Sequence, residues 1–351
     1  MFWRGSRFLL AACVICTSAA GVPAVAQDGE PSSALINRNA ILYSEKTGKV
    51  YVVDEAHGAV SIVNAGAVKN VKVGTGPEAI VANHETGEVY VANSGDQSVS
   101  VIDGKSDAVI ATLPTAARPY AIAIDELADK VYVSNTFSDK LTVIDGKTKT
   151  VSNLKTGSAD AIVVDPKRKE VYLLGYESDK LTVLNSETNA ITKMPAGAMH
   201  LWGIAKAGKT LYVTHVQDAS IAAIDVQTHV IAKIATGAMP CALATNSDTG
   251  EIYVANYGDG SVTIINGATG SVTGSVKVGQ HPQAIAVDAE KRLIYVANTQ
   301  ENTVSTIDAR THRVIKTIKA GKSPYAIAVN TKTHTAYVAN LSATPFTALE
   351  N

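Results

Sequence analysis

The chain has 351 residues, 46% hydrophobic and 18% charged, with 5% aromatic and a formal net charge of −1. Such proportions belong to a folded chain rather than a disordered one. A near-neutral balance excludes a histone-like basic protein, and no apolar run beyond residue 30 approaches the ~18 residues needed to span a bilayer, which excludes a membrane transporter.

Arg4 and Arg7 open the chain, Phe8 to Ala20 is apolar, and Ala24-Val25-Ala26 closes the stretch with small residues. This order predicts a secretory signal peptide over residues 1–26, cut before Gln27, and a mature domain of residues 27–351. A second reading takes Leu10-Ala11-Ala12-Cys13 as a lipobox that would anchor the protein through Cys13. It leaves about three apolar residues ahead of the cut, fewer than the roughly 7–15 of an ordinary leader. Removing Arg4 and Arg7 leaves 29 of the 31 basic residues against 32 acidic ones, a net −3. Cys13 and Cys16 leave with the leader, so Cys241 has no partner for an intramolecular disulfide. The expected location is periplasmic or secreted.

The rest of the chain repeats. Val89-Tyr90-Val91-Ala92-Asn93 returns as Val131–Asn135, Ile252–Asn256 and Ile294–Asn298, with degenerate copies around Tyr51, Tyr172, Tyr212 and Tyr337; the eight tyrosines are 39, 42, 40, 40, 41, 42 and 42 residues apart. So steady a period implies a solenoid or a propeller. One period contains four short β-branched runs, in the second unit Ala79–Ala82, Val89–Ala92, Val99–Ile102 and Val109–Leu113, linked by turn formers such as Asp103-Gly104. Four antiparallel strands per period make a propeller blade. Residues 40–54 align without a gap on 79–93, and Ala326–Asn330 with Ala336–Asn340 adds a last inner hairpin, giving eight inner pairs. The fold expected is therefore all-β, a single eight-bladed propeller, with seven blades as the alternative. Phe346–Leu349 is the candidate third strand of the last blade, and Ala34–Asn37 from the N-terminus its outermost, closing the ring and removing sheet edges.

The Tyr-Val-Ala-Asn run, followed by Ser-Val-Ser-Val-Ile-Asp (98–103) and Arg-Pro-Tyr-Ala-Ile-Ala-Ile-Asp (118–125), resembles the YVTN-repeat β-propeller family, which includes YncE-like periplasmic proteins and surface-layer propellers. The resemblance covers residues 40–340. It implies a mostly non-enzymatic binding or surface protein whose repeated residues are structural, so it transfers no catalytic role. WD and kelch hallmarks are missing, and Trp202 is the only tryptophan beyond the leader, unlike a quinoprotein propeller.

In a four-stranded blade, the link between strands two and three and the link to the next blade share one face. The residue opening each innermost strand then stands at the channel mouth on that face: Asn39, Glu78, Tyr120, Asp160, Trp202, Cys241, Gln283 and Tyr325. Its neighbour is nearly always Ala, so the flanks obey packing while this position varies. Two readings follow. The ring is either hydrated polar surface, or a site for a sugar, an aromatic or a cationic small molecule.

The Asn after Tyr-Val-Ala, expected to cap its turn by bonding to backbone two residues on, becomes Gly175 and His215 in consecutive units. Between them stand Tyr176, Glu177, His200 and Trp202. This concentrates unusual chemistry on blades four and five, by specialisation or by drift. The candidate ligand residues are thus Glu78, Tyr120, Asp160, Tyr176, His200, Trp202, His215, Gln283 and Tyr325. A metal set of His200, His215 and Glu177, and a Cys241 nucleophile beside His281, are the weaker alternatives. Asp96, Asp218, Asp259 and Glu301 read as turn chemistry, and Lys167–Lys169 and Arg310–Arg313 as solvated basic clusters. No catalytic residue, metal or cofactor is expected. The expected protein is a monomer whose partner is a small molecule or a cell-envelope protein. Nucleic-acid binding is disfavoured by the net charge, and a lactonase-like or oxidoreductase propeller is the enzymatic alternative.

Overall fold

The structure, a computed structural model, describes residues 39–342 and 344–349. Within them the chain forms eight antiparallel sheets, each a meander whose strands pair in sequence order. The blades run 41–72, 77–114, 118–155, 161–195, 201–235, 240–277, 282–319 and 324–349. Each innermost strand packs on the next one around the ring, and Pro324–Asn330 returns to Ile41–Ser44. The ring therefore closes with eight blades, not seven. Blade 8 shows three strands among the described residues, with Phe346–Leu349 third as expected; the expected N-terminal strand at 34–37 lies outside the described residues. Among the described residues no helix is long and apolar enough to cross a membrane.

Burial grades from the axis outward. Second strands such as Glu88–Asn93 lie between two neighbouring sheets and are buried on both faces, which suits their Val, Tyr and Ala content. Fourth strands form the rim and are mostly exposed; Arg313–Lys319 carries Lys316 and Lys319, charges that discourage pairing with a further strand. The core is accordingly distributed between blades. Tyr90, Val99, Val131 and Ile144 fill the space between blades 2 and 3, and Tyr172, Leu181, Leu201 and Val213 that between blades 4 and 5.

The repeat tyrosines run along these interfaces, and their hydroxyls reach the face opposite the channel mouth. There Tyr90 donates to Glu88 (2.7 Å) and Tyr253 to Glu251 (2.6 Å). Lys149 of blade 3 bridges to Glu88 of blade 2 at 2.6 Å, Lys206 of blade 5 to Asp165 of blade 4 at 3.0 Å, and His334 of blade 8 to Asp288 of blade 7 at 2.9 Å. Turns on this face are built by Asp or Asn side chains that accept two successive backbone N–H groups, as Asp103 does from Lys105 and Ser106. Those bonds hold the Asp103 carboxyl below the usual carboxylate range. Gly104 follows because a Cβ there would lie 2.4 Å from the Gly87 carbonyl.

Candidate functional site

In six of the eight blades the varying position sits on a β-bulge. In blade 2, Pro77 pairs with Asn93 and Ala79 with Ala92, so Glu78 is an extra residue without a cross-strand partner. Cys241, Gln283 and Tyr325 occupy the same place in blades 6, 7 and 8. In blades 3 and 5 the register shifts across Tyr120 and Trp202 in the same way. A bulge re-aims a side chain without disturbing the ladder on either side. That is why this position escapes the packing rule its neighbours obey.

Exposure divides the ring. Glu78, Cys241, Gln283 and Tyr325 are buried, whereas Tyr120, Asp160 and Trp202 are half-buried and Asn39 is exposed. The buried members are engaged: Glu78 faces Arg118 at 3.6 Å, and the Gln283 amide oxygen accepts from Thr299 (2.9 Å). The Cys241 thiol donates to the Pro282 carbonyl at 3.3 Å. Burial pushes that thiol up to about 12, which suits a packing residue and not a nucleophile. Apart from the exposed Asn39 of blade 1, the open part of the ring is the run of blades 3 to 5.

Local geometry in blade 4 explains the opening. In blades 2, 5, 6, 7 and 8 the loop residue two positions ahead of the bulge is left-handed (Gly76, His200, Met239, His281, Ser323), and its carbonyl accepts the N–H that follows the Asn position. In blade 4 the Asp160 carboxylate takes that N–H instead, from Tyr176 at 2.8 Å. Gly175 is required there, because a Cβ would fall 2.8 Å from the Ser158 carbonyl. The same rearrangement sets the Tyr176 ring against two rings of blade 5. Trp202 lies 5.9 Å away at 89°, and His200 5.4 Å away at 65°. Burial raises the pKa of the Tyr176 hydroxyl; its hydrogen bond with Gln217 opposes the rise and the Glu177 charge adds to it.

His215 stands apart from this cluster. It is 1% exposed, with Nε2 at 3.0 Å from the Ala196 carbonyl and Nδ1 at 3.4 Å from Ser220 Oγ. Burial lowers its pKa below the ordinary value. Gly197 borders the ring and leaves room for it, since a Cβ there would lie 3.4 Å from His215 Cε1. His215 is an internal strut, which corrects its expected place at the mouth. Its repeat equivalents likewise do not cap their turns as expected. Asn93 donates across to Ser98 and Ser100, Asn256 to Ser261 and Thr263, and Asn298 to Thr303 and Ser305. They pin the third strand to the second; Asp54 alone caps, accepting from His57 N–H. Among the described residues no group of three His, Cys, Asp or Glu side chains is placed to hold a metal ion.

A family model described as YncE-like beta-propeller matches residues 234–342, the stretch that contains Ile252–Asn256 and Ile294–Asn298. Over that stretch the chain is similar to YncE-like β-propellers. A second model, described as lactonase, 7-bladed beta-propeller, matches residues 169–281. No curated protein matches this chain. Among solved structures it is similar to Kuenenia stuttgartiensis hydrazine synthase (TM-score 0.60, 16% identity, 95% of this chain and 99% of that one). It is also similar to dihydro-heme d1 dehydrogenase NirN in complex with DHE (TM-score 0.74, 14% identity, 92% and 75%). A third similar structure is a functionally unknown protein from Desulfotomaculum acetoxidans DSM 771 (TM-score 0.63, 11% identity, 76% and 94%). At these identities the likeness concerns the fold.

Two features of this propeller escaped the sequence reading. Phe137, in the loop between strands two and three of blade 3, is 56% exposed and left-handed at φ 63, an unusual combination for a bulky residue. At the junction of blades 6 and 7, His281 stacks on Tyr257 at 4.2 Å and lines a cavity of about 320 Å³ with Asp259, Lys277 and Gln280. Tyr257–His281 repeats the sequence offset of Tyr176–His200, a pairing that aligning the residues after the Asn position could have revealed. Asp96 also does more than shape a turn, since it accepts the Thr75 N–H at 2.9 Å and clasps the incoming loop.

Proposed function

We propose that this propeller is an exported, non-enzymatic binding protein that takes a small molecule at the open sector of its channel mouth. Tyr120, Asp160, Tyr176, His200 and Trp202 form the site. One observation carries the reading: half-buried aromatic rings meet at steep angles beside a carboxylate, in the run of blades where Tyr120, Asp160 and Trp202 are only half-buried. Rings supply contact area and a carboxylate supplies orientation, the usual composition of a small-ligand site. Export follows from residues 1–26, and places the protein in the periplasm or outside the cell; mass analysis of secreted protein should find Gln27 at its N-terminus. Docking of a cell-envelope protein on the same face is the competing binding mode.

Trp202 is the only tryptophan after the leader, so its emission reports on the site directly. A panel of sugars, amines and aromatic acids should include members that shift or quench it saturably, and Trp202→Phe should bind those members more weakly in calorimetry. A panel that leaves emission unchanged, with an envelope protein captured by the same face, would replace this reading with docking. An enzymatic role draws support from the lactonase model over 169–281 and from the names of hydrazine synthase and the dihydro-heme d1 dehydrogenase. Metal analysis of purified protein tests that alternative.

A further inference from the structure

The corner made by Tyr176 and Trp202 selects among ligand classes. The Tyr176 and Trp202 planes stand at 89° with centroids 5.9 Å apart, and the His200 ring also meets Tyr176, at 5.4 Å and 65°. Tyr176 is thereby held by two neighbours and offers an angle between ring faces instead of a broad flat platform. A sugar stacks best on such a platform. The faces of Tyr and Trp carry the negative end of the ring quadrupole, and an angle between two of them favours a compact cation.

Charge around the corner points the same way. The Asp160 carboxylate is fixed by the Tyr176 N–H at 2.8 Å, and the Glu177 charge acts on the Tyr176 hydroxyl. Arg118, the guanidinium nearest in sequence to Tyr120, is directed to Glu78 at 3.6 Å. Two carboxylates repel an anionic ligand and raise the local concentration of a cation. Met199, next to His200 and 48% exposed, adds a polarisable apolar rim suited to methyl groups.

We infer that the site binds an organic cation with an alkylated ammonium group, held in the angle between Tyr176 and Trp202 and balanced by Asp160. This inference rests on the binding-site reading above and adds the ligand class.

The test compares choline and tetramethylammonium with the neutral tert-butyl isostere of choline, read by Trp202 emission and by calorimetry on the mature protein. The cations should bind saturably and the neutral isostere about tenfold more weakly. Asp160→Asn keeps an oxygen acceptor for the Tyr176 N–H and removes the charge, so it should weaken the cation several-fold and flatten the salt dependence. Tyr176→Phe should retain binding and Tyr176→Ala lose it, with matched circular dichroism showing that each variant folds. Equal binding of choline and its isostere would overturn the inference. So would a panel in which sugars or aromatic acids move Trp202 and cations do not, although the site would then stand. Silence from every member of the panel would remove the site and the inference together.

Discussion

His215 shows how one substitution inside a strict repeat changes what a blade responds to. The position normally carries an Asn whose amide bonds to hydroxyls five and seven residues on; here imidazole bonds to Ser220 and Ala196, and the residue seven on is Ala222. Burial is the main cause of its lowered pKa; the Asp218 charge opposes the fall and the Lys233 charge adds to it. The native state therefore prefers the neutral ring, while the unfolded chain takes up a proton near the ordinary 6.5. Because the unfolded state then binds more protons, stability is complete above that pH and declines as pH falls below it. Melting temperature should drop between pH 7.5 and 5.5 more steeply in the natural protein than in His215→Asn. Half-buried His281, also lowered by desolvation, is common to both and cancels. Equal slopes would show that His215 is not the responsive group. That the position was unusual could be read from the repeat, but its direction could not. Whether a side chain at a strand end turns to the channel or into the blade depends on the room left beside it, here by Gly197.

Within a blade, the pairing of strands explains both an accurate and an inaccurate expectation. The tyrosine period located every second strand, because a residue buried on both faces admits little variation. The Asn role was misread because a local turn cap and a cross-strand tie favour the same residue. The tie takes the combination of Asn with a Ser or Thr seven residues on, present at Ser100, Thr142, Thr263, Ser305 and Thr347. Asn256→Ala would leave the buried hydroxyls of Ser261 and Thr263, each now 2.9 Å from Asn256 Nδ2, without that donor. The expected loss is about 1–3 kcal/mol, measured by urea denaturation. A variant that denatures with the natural protein would show that the tie contributes nothing. The bulge itself left no trace in the residue pattern. It is a property of backbone register, visible only as a position that refuses to repeat.

At the scale of the ring, closure depends on the last blade. Blade 8 joins Pro324–Asn330 to the innermost strand of blade 1, and Phe346–Leu349 holds its hairpin in place. Leu349 is buried in the core shared with blade 7, and Thr347 Oγ accepts from both Asn340 and the Gly321 N–H. Ending the chain at Asn340 should therefore cost at least ~3 kcal/mol, from lost apolar burial and two lost hydrogen bonds. The urea midpoint should fall accordingly; an unchanged midpoint would mean that the ring closes without this strand. Blade number was legible in the count of inner hairpins, since each hairpin occupies one sector. The division into a packed half and an open half was not, because it arises from how neighbouring side chains fill a shared axis.

The bulge has a consequence for descent. Residues at this register have no cross-strand partner to satisfy, so replacing one leaves the ladder beside it intact. Six bulged sectors then offer separate places where a lineage can try new chemistry while the scaffold stays fixed. What such a molecule recognises can be rewritten one sector at a time, so relatives with the same architecture need not share a ligand.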